Sequence, residues 1–185
     1  MPSLETLLAS IAARLREAFP ALKACEVHDG RFDLPELRRI ATRTPAMFAA
    51  CLGVDKVENP GTEQADAHLL LAIYIVTANA AGLSRGAAAR ALSEAVLQLV
   101  QGERWGGGTG EATELRAENL YSGDIDKTGV ALWGISWQQV LRIGTSVWDT
   151  TGVFPVHLYL GLVPDVGPAH VEDYVEVAAL PGVEP

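Results

Sequence analysis

Residues 64–78, QADAHLLLAIYIVTA, decide the fold. The run from Leu69 to Val76 is apolar at every position and rich in residues that favour a pleated, buried surface. It is far short of the roughly 20 residues that span a bilayer. A strand apolar on both faces in its second half belongs at the centre of a sheet, with a helix over at least one side. Just upstream, residues 46–54 (AMFAACLGV) have the same character, and Glu58-Asn59-Pro60-Gly61-Thr62 is turn chemistry. The two stretches predict a β-hairpin.

The covering helix is expected from Ser84, a plausible cap, to about Arg104. Leu92, Ala95, Val96, Leu99 and Val100 lie on one side and Arg85, Arg90, Glu94, Gln98 and Glu103 on the other. Gly106-Gly107-Gly108-Thr109-Gly110 then interrupts the chain. Residues 113–121 (TELRAENLY) alternate charge and bulk as an edge strand does. Asp124 to Gly129 reads as a loop, and residues 130–143 (VALWGISWQQVLRI) as a long strand with Ala131, Trp133, Ile135, Trp137, Gln139 and Leu141 on one face.

Toward the N-terminus, Ser3 caps a helix with Leu4, Leu8, Ile11, Leu15 and Phe19 along one stripe, ended by Pro20. Residues 21–28 read as a short strand closed by Asp29-Gly30. Asp33-Leu34-Pro35-Glu36 is a capping-box pattern that opens a short helix to about Arg43, with Leu34, Leu37 and Ile40 inward and Pro45 beyond its end. The expected order is α-β-α-ββ-α-ββ. This is an α+β single domain whose mixed, mostly antiparallel sheet of about four to five strands packs with about three helices.

Beyond Arg142 the chain changes character. Six acids and no Lys or Arg follow, against seven bases and six acids in residues 1–45. Residues 144–185 carry five prolines, yet also Trp148, Phe154, Leu158, Tyr159, Leu160 and Tyr174. Disordered tails are poor in such residues. The core is therefore expected at 1–143, and 144–185 as an acidic, Pro/Gly-containing extension lying as an extended arm against its own domain or a neighbouring subunit, with a short strand at 153–163.

Composition excludes several classes. A net charge of −9 has the wrong sign for phosphate-backbone binding, so no nucleic acid is expected. Two cysteines, Cys25 and Cys51, are too few for a disulfide framework and lack metal-ligand spacing. The first residues alternate apolar and charged, unlike a signal peptide, so a cytosolic protein without a membrane partner is expected.

The chemical candidates are sparse. The glycine-rich run 106–110 follows a helix and lacks the Lys-Ser/Thr ending of a phosphate loop, so it reads as a flexible linker. His28, Asp29 and Asp33 surround a turn whose chemistry explains them. His68 shares a strand face with Asp66 and is the one pair from which a small enzyme could be built, although no nucleophile or second base is evident. His157 and His170 lack ligand-spaced partners. Ser136 in GISWQ mimics part of a nucleophile elbow but falls inside a strand, with Gln138 where the second glycine belongs. Trp133 and Trp137 share a face that reads as core or interface packing. No cofactor, metal site or catalytic residue is expected, and the chain is expected not to be an enzyme.

Four stretches carry a resemblance. RFDLPELRRIATRTPAMFAACLGV (31–54), AHLLLAIYIVTAN (67–79), GAAARALSEAVLQLV (86–100) and AENLYSGDIDKTGVALWGISWQQVLRI (117–143) together resemble the Mu-like phage and prophage tail proteins encoded beside the sheath gene. That group is similar in length and element order to phage tail terminators, the minor tail protein U-like proteins. The resemblance covers roughly residues 1–143 and leaves the extension unmatched. It implies a homo-hexameric ring that caps the tail tube, touches tube and head-completion proteins, with sheath as a further partner, and resides in the virion tail after assembly in the host cytoplasm. A head–tail connector or baseplate component is the alternative structural role.

A heterologous head-to-tail interface closes into a ring when its rotation permits. Edge strands and arms are natural contact elements for such an interface. The expected interface residues are Glu114, Arg116, Glu118 and Tyr121 on the edge strand, with Trp148, Phe154, Leu158 and Tyr159 in the extension.

Overall fold

The computed structural model describes residues 3–30, 34–106, 109–147 and 157–179. The chain divides into two compact units, 1–145 and 146–185. The first contains α1 (Leu4–Ala18), β1 (Ala24–Val27), α2 (Leu34–Ile40), β2 (Ala46–Glu58), β3 (Ala65–Ala78), α3 (Arg85–Val100), β4 (Thr113–Asn119), the helical turn α4 (Gly123–Asp126) and β5 (Val130–Ile143). Its sheet runs β1-β2-β3-β5-β4. The fold is α+β with a mixed sheet. β1 and β2 are parallel, joined through α2, and every other neighbouring pair is antiparallel.

β3 is central, as the apolar run required. It pairs with β2 from Ala46↔Val76 to Glu58↔Asp66 and with β5 along its whole length. Side chains alternate across a strand. Leu69, Leu71, Ile73 and Ile75 therefore meet Leu8, Ile11 and Leu15 of α1 and Val96 and Val100 of α3 on one face. Ala72, Tyr74 and Val76 meet Leu37 and Ile40 of α2 on the other. Asp66, His68 and Leu70 continue that second face beyond the reach of α2, so only the second half of β3 is buried on both sides.

Local chemistry sets the element ends. The Ser3 hydroxyl accepts from the Thr6 N–H at 3.1 Å and the Thr6 hydroxyl accepts from the Ser3 N–H at 2.9 Å, satisfying two donors that a helix start leaves orphaned. The buried stripe of α1 is centred on Leu7, Leu8, Ile11 and Leu15, which leaves Leu4 at its rim and exposed. α3 stops at Val100, short of the expected Arg104, because Gly102 follows at φ +83°, the left-handed geometry that closes helices.

Past that glycine, Trp105 turns back into the core and its indole N–H donates to Gln139 Oε1 at 2.8 Å. Trp137 donates to the same oxygen at 2.9 Å, while Gln139 Nε2 donates to the carbonyls of Glu103 (3.0 Å) and Gly110 (2.7 Å). Gln139 is 2% exposed, and these bonds, with a longer one to the Thr109 hydroxyl at 3.4 Å, are what make a buried amide tolerable. The expectation that 106–110 is a plain flexible linker is corrected at its far end, where the Gly110 N–H donates to the Val140 carbonyl at 2.9 Å and Thr109 bridges to Leu141; Gly107 and Gly108 lie outside the described residues. The expected loop at Asp124 is a helical turn, capped where the Ser122 hydroxyl accepts from the Ile125 N–H at 3.2 Å.

In the second unit, β6 (His157–Leu160) is the strand expected within 153–163. It pairs antiparallel with β7 (Val175–Ala179), which was not foreseen, around a 3-10 turn at Pro168–Asp173. Gly161 is required there, because a Cβ on it would lie 2.5 Å from the Tyr174 ring.

Candidate assembly interface

Both ends of the five-stranded sheet are open: among the described residues no further strand pairs with β4 or with β1. β4 presents Glu114, Arg116 and Glu118 to solvent, and Tyr121, just beyond it, is 67% exposed. Leu115 and Ala117 turn inward against the core, so the strand is anchored by one face and displays the other. Glu114 sits at φ +51° where the β4–β5 register shifts between Thr113 and Arg116, a bulge of the kind that keeps an edge strand from pairing along its full length. The Arg116 guanidinium reaches the Glu114 carboxylate at 3.3 Å. Glu118 has no ion-pair partner among the described residues.

At the opposite end, β1 borders an open cleft of about 440 Å³ lined by Arg16, Phe19, Leu22, Lys23, Glu26 and Arg43 among others. The Arg16 guanidinium donates to the Cys25 carbonyl at 2.5 Å, and Arg43 pairs with Glu26. Sequence reasoning missed this basic edge. Its bases come from α1, β1's approach and the turn after α2, so no local motif marks them. The excess of bases in residues 1–45 was the available signal.

Of the expected extension residues, Leu158 and Tyr159 lie on β6 and are 61% and 51% exposed. Trp148 and Phe154 lie outside the described residues, as does Asp33.

The remaining candidates are held apart. His68 Nε2 contacts Glu58 at 2.8 Å, while both oxygens of Asp66 accept from Arg142, at 2.7 Å each. Those hydrogen bonds hold the Asp66 carboxyl below the usual aspartate range, and Lys56, then His68, do the same for Glu58. His28 Nδ1 lies 2.9 Å from the Gly30 carbonyl, consistent with turn chemistry. His157 contacts Glu176 at 2.5 Å and His170 contacts Asp173 at 3.2 Å. Ser136 is in mid-strand opposite Ala72. Cys25 and Cys51 are both free thiols, and burial pushes the Cys25 thiol up. Among the described residues no group of three or more His, Cys, Asp or Glu could hold a metal ion, and no helix is long and apolar enough to cross a membrane.

No protein-family model matches this chain, and no curated protein matches it significantly.

Proposed function

We propose that this chain is a structural subunit of a phage or prophage tail, a terminator-like protein whose copies form a ring, a homo-hexamer, that caps the tail tube and joins it to the head. In this reading it contacts the tube, the head-completion protein and the sheath, and it performs no catalytic step. The observation that carries it is the second unit. Leu158, Tyr159, Leu160, Val175 and Val177 are all at least half exposed on a ribbon of only two strands. Two strands alone are marginal in water, and so many exposed apolar side chains on so small a ribbon favour a contact surface between chains. The resemblance of roughly residues 1–143 to Mu-like tail proteins supplies the class of assembly.

Native mass spectrometry and sedimentation velocity of the full chain, with and without purified tail tubes, test it. Ring-sized particles seated at one end of the tubes are expected. Leu158→Asp with Leu160→Asp should abolish them at unchanged melting temperature. A chain that stays monomeric in the presence of tubes, or that localises to the baseplate in labelled virions, overturns the reading.

A further inference from the structure

The geometry points to a specific mating of copies: the β4 edge of one subunit adds to the β1 edge of the next, so that the sheets run on from subunit to subunit. This deepens the ring reading and rests on it. Three observations carry it.

The first is the free backbone. The Leu120 N–H donates to the Leu132 carbonyl at 3.0 Å, which makes that pair hydrogen-bonded. Hydrogen-bonded and open pairs alternate along an antiparallel ladder, so the N–H and C=O groups of Ala117 and Asn119 point away from β5 toward the open edge. On β1, the His28 N–H donates to the Ala49 carbonyl at 2.8 Å, in register with Val27↔Ala49, and the alternation of the parallel ladder turns Cys25 and Val27 outward. Each edge thus offers two residues at the two-residue spacing that a shared ladder needs, and on β1 the Arg16 guanidinium, which donates to the Cys25 carbonyl, must move aside for the ladder to form.

The second is charge. Residues 111–121 hold three acids (Glu111, Glu114, Glu118) and one base (Arg116). Around the β1 edge stand four bases (Arg16, Lys23, Arg39, Arg43) against Glu26 and Asp29. Neither Glu118 nor Lys23 has an ion-pair partner among the described residues. The two ends of one sheet carry opposite sign, which favours head-to-tail contact and disfavours like edges meeting.

The third is shape. The β1 cleft opens directly onto the outward-facing Cys25, with Phe19 and Leu22 as apolar lining. An exposed aromatic, Tyr121, stands at the end of β4 to fill it. A contact between two different patches on the same chain is heterologous, and repeated around an axis it closes into a ring.

The test uses the full chain and charge reversal read by sedimentation velocity across a concentration series. Lys23→Glu alone and Glu118→Lys alone should each weaken self-association about tenfold or more. The double variant, and an equal mixture of the two single variants, should return to within about threefold of the parent, because every edge again meets the opposite charge. Both side chains are exposed, and circular dichroism and melting temperature should stay unchanged throughout. Single variants that associate as the parent does, or a double variant that fails to recover, overturn the edge pairing while a ring on tail tubes leaves the terminator reading standing. A parent chain that never associates, alone or on tubes, overturns both.

Discussion

Leu71, Ile73 and Ile75 of β3 are 0% exposed, whereas Leu158, Leu160 and Val175 of the β6–β7 ribbon are 61%, 53% and 65% exposed. The residue types are the same. What differs is the number of layers available: β3 has a strand on each side, α1 and α3 on one face and α2 over half of the other, while the ribbon has one partner strand and a 3-10 turn. Apolar sequence therefore records that a surface is to be covered, and the cover can come from the same chain or from another one. The polar groups divide similarly. Gln139 in the sheet unit is sealed and fully bonded, whereas the β4 carboxylates stand open to whatever approaches.

The contrast breaks most sharply at Gln139. Replacing it with leucine leaves two indole N–H groups buried without an acceptor, and stranding a buried polar group costs about 1–3 kcal/mol each. Gln139→Leu should lower the urea midpoint by the equivalent of about 2–6 kcal/mol and release the backbone around Glu103 and Gly110, seen as faster amide exchange there. Next is Ile73→Ala, which opens a cavity beneath α1 and α3 and should cost about 2–5 kcal/mol with an unchanged denaturant slope. The same truncation in the ribbon, Leu160→Ala, should change stability by less than about 0.5 kcal/mol, because the side chain is already in water. A loss at Leu160 comparable with that at Ile73 would mean the ribbon is folded against apolar surface in the isolated chain.

Legibility followed locality. The β3 run, the β2–β3 turn, the Ser3 and Ser84 caps and the alternating face of β5 each announce themselves within a few residues, and all stand where expected. The outer half of β2 was missed because Asp55, Lys56 and Glu58 extend as a ribbon exposed on both faces, which erases the apolar periodicity that marks a strand. Trp105 lies outside every periodic segment, and its burial depends on an amide 34 residues away. β7 exists through pairing with β6 across a long turn. Of the candidate interface, the acidic edge was readable because β4 is one continuous stretch. The basic cleft was not, because Arg16, Lys23 and Arg43 converge only after α1, β1 and α2 have packed.

The smallest expected effect lies on the uncovered half of the sheet's second face, where Asp66 of β3 accepts two hydrogen bonds from Arg142 of β5. Those bonds favour the ionised carboxylate, so the folded-state pKa lies below the usual aspartate value of 3.8. The pair's contribution is therefore fully present above that value and is lost as pH falls through the lower folded value, when the carboxylate takes a proton in both states. Because Arg142 is 48% exposed and the pair is in contact with water, the contribution is small and screened by salt. Melting temperatures should fall between pH 5 and pH 2.5 in the parent and fall less in Asp66→Asn, with the difference shrinking in about 1 M salt, where the screening length is about 3 Å. Parallel acid limbs for parent and variant would mean that this ion pair adds nothing to the β3–β5 pairing, which the backbone ladder and the apolar face beneath α1 and α3 then hold without it.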